Sequence, residues 1–275
     1  MLELHSGNEI LKLDYPKVMG VINCTPDSFY ASSRAQSLFE AQKLIDQMLN
    51  EGVDILDIGG SSSKPGNIGI SPEEEINRVK EVVEFVVKHY PKLWMSIDTT
   101  HAEVAKYAVE NGCRIVNDIS SGEMDDQMLQ TVSNLKVPYV CMHMQGKPEN
   151  MQVNPIYKNV VNEVYTFLEN KIKQAEMLGI RNCIIDPGFG FGKTIEQNYT
   201  LLKGLDHFQE LKRPLLVGFS RKSMIYKVLN TDPNDSLNGT TALNMIGLLK
   251  GASILRVHDV KAAKQTIEIY QQFNK

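Results

Sequence analysis

The sequence predicts a (β/α)₈ TIM barrel closed at the bottom by a short N-terminal hairpin, and three observations predict it. Eight short apolar segments alternate with longer segments of helical periodicity, the order expected of repeated βα units around a parallel sheet. The 275 residues match the roughly 250 that such a barrel needs. No linker or shift in composition marks a boundary, so we expect residues 1–275 to form one domain. A doubly wound open sheet is the alternative, because periodicity alone does not show closure.

The predicted strands are apolar almost throughout, as parallel strands covered on both faces should be. In order they are Val18–Asn23, Ile55–Gly59, Trp94–Asp98, Arg114–Asp118, Tyr139–His143, Cys183–Asp186, Leu215–Phe219 and Ser253–Val257. A helix is predicted over Ser37–Asn50, and another over Pro72–His89 because Ser71 is a favourable N-cap and acidic residues follow it. A break at Thr231–Asp235 separates a short helix after Arg221 from a longer one starting at Ser236.

Composition excludes several functional classes. Hydrophobic residues make up 42% of the chain and charged residues 23%, which is typical of a globular protein. A net charge of -4 argues against a general nucleic-acid binder, which needs a basic face. No apolar run reaches the roughly 20 residues that span a membrane, and no secretory signal is evident, so we expect a cytoplasmic protein. The four isolated cysteines are interpreted as reduced, buried thiols.

Polar residues follow almost every predicted strand at its C-terminal end, where TIM-barrel enzymes assemble their active sites. Asp98, Asn117 and Asp186 offer the acceptors and the amide that suit a flat heterocycle with adjacent N–H and NH₂ donors. The cationic donors, which suit a phosphate or diphosphate, are Lys64, Lys222, Arg256 and His258. The sequence therefore predicts one pocket that holds a heterocycle and a phosphate group together.

Three other polar residues receive structural interpretations. We expect Asp57 to orient the Gly59–Gly60 loop and His143 to be a satisfied strand-end histidine. Cys24 is interpreted as a small buried thiol, since no base lies beside it in the sequence.

Eight segments spread over nearly the whole chain form a recognisable series: Met19–Phe29, Asp57–Gly60, Ser96–Thr99, Asn117–Ser120, Met142–Gly146, Asp186–Lys193, Ser220–Ser223 and Arg256–Asp259. In this order they resemble the motifs of the dihydropteroate synthases, a family of pterin-binding enzymes. The resemblance implies condensation of 6-hydroxymethyl-7,8-dihydropterin diphosphate with 4-aminobenzoate, through a cation-like pterin intermediate, to give 7,8-dihydropteroate and pyrophosphate in folate synthesis. It also implies a TIM barrel, a Mg²⁺ cofactor and a homodimer.

The resemblance assigns roles to residues of this chain. Its implied pterin-binding set is Asp98, Asn117, Met142, Asp186, Phe191 and Lys222. The implied diphosphate-binding set is Asn23, Ser63, Arg256 and His258, with Asn23 also a ligand of Mg²⁺. The implied aminobenzoate-binding set is Ser63, Lys64, Pro65, Phe191, Lys222 and Ser223, the last at the start of a helix. Catalysis is implied for Asn23, Asp98, Lys222, Arg256 and His258.

Two loops depart from the family pattern. Lys64 stands where the family usually has arginine, and lysine lacks the planar fork that binds a carboxylate through two bonds. Tyr30–Ser33 replaces a stretch in which the family usually has two glycines and a carboxylate. These departures leave open a catalytically silent pterin-binding protein.

Two other activities are alternatives. A pterin-dependent methyltransferase would share the pocket, but it would have no diphosphate for Arg256 and His258 to bind. An aldolase would use Lys222 to form a Schiff base.

Overall fold

A computed structural model describes residues 2–25, 34–61 and 69–275. The strands are β1 Glu3–Ser6, β2 Glu9–Lys12, β3 Lys17–Asn23, β4 Ile55–Gly59, β5 Trp94–Asp98, β6 Ile115–Asp118, β7 Tyr139–Met142, β8 Cys183–Asp186, β9 Leu216–Val217 and β10 Ile254–Val257. The helices are α1 Arg34–Asn50, α2 Pro72–His89, α3 Ala102–Glu110, α4 Met128–Leu135, α5 Val160–Met177, α6 Ile195–Lys203, α7 Ser223–Tyr226, α8 Leu237–Leu249 and α9 Val260–Phe273. A 3₁₀ helix, Leu205–Leu211, follows α6.

The strands β3 to β10 form one parallel sheet that closes on itself. Its eight strands follow the order β8-β7-β6-β5-β4-β3-β10-β9, which is chain order around a ring. A parallel bridge between Ile185 and Leu215 joins the two ends of this order. The Ile185 N–H also donates to the Pro214 carbonyl at 2.9 Å. The TIM barrel is therefore confirmed, and the open-sheet alternative is wrong.

Most element bounds agree with the sequence-based expectations. Helix α2 begins as predicted, because the Ser71 hydroxyl accepts a hydrogen bond from the Glu74 N–H at 3.2 Å. The largest difference is β9, which has two residues where Leu215–Phe219 was predicted. It pairs with β10 at only two register positions, and beyond them Phe219 packs on Phe189 with 4.6 Å between the ring centres.

The predicted hairpin is present and covers the N-terminal ends of the barrel strands. β1 and β2 pair antiparallel, and Leu4 from β1 is completely buried. It belongs to an apolar cluster with Met19, Ile55, Trp94, Ile115, Val140, Ile184, Leu216 and Ile254. We call this cluster the floor. Each barrel strand thus contributes one floor residue, and the hairpin seals them from water.

A second, larger apolar core fills the space between the outer face of the barrel and its helices. Within the described ranges, no helix is long and apolar enough to cross a membrane.

Candidate functional site

The C-terminal ends of β4, β5, β6 and β10 meet at the guanidinium of Arg256. Its Nε donates to Asp57 Oδ2 at 2.7 Å, and its Nη2 donates to Asp98 Oδ2 at 2.6 Å. The Asn117 amide donates to the same Asp57 oxygen at 3.0 Å. Asp57 and Asn117 are buried, and Asp98 and Arg256 are only slightly exposed. Side chains from four strands therefore form one hydrogen-bonded network, as the strand-end pattern predicts.

This network corrects the expected role of Asp57. We expect from the sequence that Asp57 orients the Gly59–Gly60 loop, but its partners among the described residues are Arg256 and Asn117. Asp98, expected at the pterin, and Arg256, expected at the diphosphate, are in direct contact. The two predicted halves of the pocket thus share an ion pair.

Burial and neighbouring charges act against each other in this network. Burial raises the pKa of Asp98 to about 7, although the Arg256 charge opposes the rise. Burial alone would lower the pKa of Arg256, but the Asp57 and Asp98 carboxylates raise it above its usual value. Arg256 therefore remains a cation in the pocket, while Asp98 is close to accepting a proton at neutral pH.

Asp186, Lys222 and Phe191 form a second part of the same pocket. Asp186 ends β8, and its Oδ1 accepts a hydrogen bond from the Gly188 N–H at 2.8 Å. Lys222 donates to the Phe189 carbonyl, and its Nζ lies 4.7 Å from the centre of the Phe191 ring. Burial lowers the pKa of Lys222 to about 8, and the nearby Asp186 carboxylate opposes the fall. Burial raises the pKa of Asp186, and the charges of Lys222 and Arg256 oppose that rise, which ties this part to the first.

An apolar wall adjoins these charges. Met142, at the end of β7, and Phe191 belong to a buried cluster with Ile119, Met144 and Met151. A flat ring held by the acceptors would find apolar surface beside it, which is the usual composition of a small-molecule site.

The loop Gly188–Gly192 adopts a backbone conformation that requires glycine. Gly188 has a φ of +69°, and a Cβ there would lie 1.9 Å from the His143 carbonyl oxygen. The next residue, Lys193, is buried, and its Nζ lies 2.9 Å from the Gly188 carbonyl and 3.0 Å from His143 Nδ1. The sequence patterns assign no role to Lys193. The usable signal is its place after three alternating glycines, a stretch whose carbonyls have no regular backbone partners.

His258 differs from its expected charge. Its Nδ1 lies 3.0 Å from the Ser220 hydroxyl, and burial lowers its pKa to about 4, with Arg256 lowering it further. This shift favours a neutral His258 at pH 7 in the unliganded protein, in contrast to the cationic donor expected from the sequence. Its ring still offers a hydrogen bond.

Ser223 and Asn23 lie where the sequence places them, at the start of a helix and at the end of a barrel strand. Ser223 is the first residue of α7, but that helix has only four residues, too few for a helix dipole to provide an anion site. Asn23 ends β3 and is half-buried. Ser63, Lys64, Pro65 and the departing segment Tyr30–Ser33 lie outside the described residues.

The structural interpretations of two other residues are confirmed. His143 is buried, with Lys193 at its Nδ1, and burial lowers its pKa strongly. Cys24 is buried as well, and burial raises the pKa of its thiol to about 12. At neutral pH Cys24 is a thiol and a poor nucleophile.

Comparison with known proteins shows what the chain is similar to. A family model described as pterin binding enzyme matches residues 19–258. The dihydropteroate synthase of Haemophilus influenzae is 41% identical over 98% of both chains. A Yersinia pestis dihydropteroate synthase in complex with a sulfonamide drug superposes with a TM-score of 0.93 at 36% identity, covering 99% of both chains. The Xanthomonas albilineans dihydropteroate synthase with 4-aminobenzoic acid gives 0.92 at 38% identity, covering 99% of this chain and 98% of the other. The chain belongs to the pterin-binding enzymes and, among them, to the dihydropteroate synthase family.

Proposed function

We propose that this enzyme condenses 6-hydroxymethyl-7,8-dihydropterin diphosphate with 4-aminobenzoate, giving 7,8-dihydropteroate and pyrophosphate. The observation that carries the proposal is the Asp98–Arg256 ion pair, which joins the predicted acceptor set to the predicted cations in one pocket. Asp98 and Asp186 accept hydrogen bonds, and Arg256 and Lys222 are the cations beside them. Such a pocket suits a substrate that joins a donor-rich ring to an anionic leaving group.

The pterin has an amino-pyrimidine edge that donates two adjacent hydrogen bonds. Asp186 accepts them, and Asn117 and Asp98 contact the remaining ring nitrogens. Lys222 donates to the carbonyl side of the ring, while Met142 and Phe191 pack against its faces. These side chains are largely buried and shielded from water, so each of their hydrogen bonds is stronger than it would be in solvent.

The reaction breaks the C–O bond to the diphosphate, and the bonding electrons leave with pyrophosphate. The CH₂ group then carries positive charge that is shared with the pterin ring, and the nearby carboxylates of Asp98 and Asp186 favour that charge. Arg256 and His258 donate to the departing oxygens, each well-placed contact contributing about 3 kcal/mol by analogy with an oxyanion-hole donor. The aryl amine nitrogen bonds to the CH₂ and then loses its proton.

Mg²⁺ would be held by one protein oxygen together with the substrate's phosphates. Among the residues that the structure describes, no group of three His, Cys, Asp or Glu side chains forms a metal cluster. Mg²⁺ commonly uses one or two protein oxygens and completes its shell with substrate phosphates and water. The amide oxygen of Asn23, half-buried at the end of β3, would be such a ligand. When bound, the ion would add positive charge at the diphosphate.

The aminobenzoate site combines described residues with others outside the described ranges. Lys222, Phe191 and Ser223 form its described part, and Ser63, Lys64 and Pro65 complete it in our proposal. Lys222 lies close to Phe191, and in our proposal this lysine contacts both substrates.

The oligomeric state, domain organisation and location complete the proposal. The homodimer would form through exposed apolar side chains of α8 and α9, among them Leu249, Ile269 and Phe273. Residues 1–275 act as one pterin-binding domain. A cytoplasmic location suits the four cysteines, which are free and buried.

Turnover tests the proposal directly. The protein is incubated with the dihydropterin diphosphate, 4-aminobenzoate and Mg²⁺, and pyrophosphate and dihydropteroate are measured together. Equal amounts of the two products are expected. Pterin binding without turnover would instead identify a silent binding protein, and methyl transfer from a methylated pterin would identify a methyltransferase.

A further inference from the structure

The loop Gly188–Gly192 is held almost entirely by side chains. Lys193 Nζ donates to the carbonyls of Gly188 and Phe191, at 2.9 and 3.0 Å. Lys222 donates to Phe189, Gln152 to Gly190, and Tyr157 to Gly192 at 2.7 Å. Each carbonyl of the loop thus accepts a side-chain hydrogen bond, and Lys193 supplies two of them.

Lys193 also connects this loop to β7. Its Nζ lies 3.0 Å from His143 Nδ1 and 3.3 Å from the His143 carbonyl oxygen. His143 directly follows Met142, which lines the pocket. One buried lysine amino group therefore joins the end of β7 to the loop that follows β8.

The loop in turn positions groups of the proposed pocket. Its Gly188 N–H donates to Asp186, and its Phe189 carbonyl accepts from Lys222. Phe191, whose carbonyl Lys193 holds, provides the ring beside Lys222. Displacing the loop would misplace an acceptor, a cation and an apolar wall together.

We propose that Lys193 is a positioning residue that fastens the Gly188–Gly192 loop to His143 and so shapes the pterin pocket. The proposal rests on the proposed function for its link to pterin, but the loop geometry itself is independent of any substrate. An ammonium has three protons, which match the Gly188 carbonyl, the Phe191 carbonyl and His143 Nδ1 as acceptors. His143 must then carry its proton on Nε2.

The test compares Lys193→Met with Lys17→Met. Lys17 is an equally buried lysine at the opposite end of the barrel, paired with Asp14 at 3.1 Å. We expect Lys193→Met to weaken binding of 6-hydroxymethylpterin by at least about tenfold, as expected when several contacts are displaced. Lys17→Met should leave that affinity unchanged, even if both variants lower the Tm by a similar amount.

Hydrogen exchange of the ligand-free protein provides a readout that needs no substrate. The amides of Gly188, Gly190 and Phe191 are hydrogen-bonded within or beside the loop. They should exchange faster in Lys193→Met, at an intermediate rate in Lys193→Gln, which keeps a donor, and normally in Lys17→Met. Unchanged exchange or unchanged pterin affinity in Lys193→Met overturns the proposal.

A third measurement uses the unmodified protein and tests the Lys193–His143 arrangement even if neither Lys193 variant folds. Nitrogen NMR of His143 at pH 6 should show Nδ1 without a proton and Nε2 with one. A proton on Nδ1 would contradict the three-acceptor arrangement. If the unmodified protein fails to bind 6-hydroxymethylpterin, the proposed function is wrong. Amide hydrogen exchange of the loop and the His143 tautomer would still test the role of Lys193.

Discussion

The floor and the pocket of the barrel are built from the same strands. On four of these strands, a floor residue lies two positions before a pocket residue. Ile55 and Asp57 lie on β4, Ile115 and Asn117 on β6, Ile184 and Asp186 on β8, and Ile254 and Arg256 on β10. Since side chains two residues apart on a strand point to the same side, each pair faces the barrel interior. The step between them is about 7 Å, and across it an apolar layer gives way to charged groups. The proposed chemistry is therefore confined to the pocket layer of each strand, while the floor layer contributes only packing.

The largest effect should come from removing the central charge of the pocket. We expect Arg256→Met to lower turnover by about a thousandfold, the loss typical of a key charge-stabilising donor. It should also lower the free energy of unfolding by about 3 kcal/mol, because two buried carboxylates lose their partner. Assays of product formation and urea unfolding measure the two losses.

The pH dependence of that stability loss tests its cause. Burial already raises the pKa of Asp98, and without Arg256 the pKa rises further. Below this pKa the Asp98 carboxyl is protonated, and burying it uncharged costs little stability. The loss of unfolding free energy in Arg256→Met should therefore be smaller at pH 5 than at pH 8. The control is Arg114→Met, near the hairpin, whose partner Glu9 is half-exposed and whose loss should depend little on pH. An equal deficit of Arg256→Met at both pH values would contradict the buried-charge explanation.

The matched change on the same strand is Ile254→Ala in the floor. Ile254 is completely buried, and truncation of such a side chain costs about 3 kcal/mol of unfolding free energy. Turnover per folded molecule should stay within about twofold of the unmodified protein, because the floor contacts no substrate in our proposal. A turnover loss approaching that of Arg256→Met would break the separation between floor and pocket.

Sequence reasoning predicted the barrel because its evidence is local. Apolar runs with a polar residue at the end indicate strands such as Ile55–Gly59 and Cys183–Asp186 within their own few residues. It failed at β9, where only two residues pair with β10, because pairing depends on the neighbouring strand. It also placed Asp98, Asn117, Asp186 and Arg256 correctly at one end of the barrel.

Partners inside the pocket were not predictable in the same way. Arg256 and Asp57 are 199 residues apart in the chain, so their contact depends on barrel closure. The neutrality of His258 follows from burial beside Arg256, which spacing does not reveal. Lys193 was missed because most of its acceptors are backbone carbonyls, and the three alternating glycines before it are their only mark in the sequence.

A smaller effect should appear in the pH profile of the pocket. Burial lowers the pKa of Lys222 to about 8, so this lysine loses its proton as the pH rises through that value. If its ammonium binds the pterin carbonyl, kcat/KM should fall about tenfold per unit above pH 8. Lys222→Arg should move this fall to higher pH, since arginine stays charged. Lys264→Arg, a control that alters the lysine paired with Asp54, should leave the profile unchanged.

The smallest effect expected within the pocket is at His258, and it separates charge from hydrogen bonding. Since burial lowers the pKa of His258 to about 4 in the unliganded protein, we expect it to offer the diphosphate a hydrogen bond and no charge. We expect His258→Gln to lower turnover less than about tenfold, because the glutamine amide keeps a neutral donor and only weakens the hydrogen bond. The fold loss should be constant between pH 6 and pH 8, measured as kcat at saturating substrate. A loss that is large at pH 6 and shrinks as the pH rises to 8 would mean that His258 acts as a cation, placing it with Arg256.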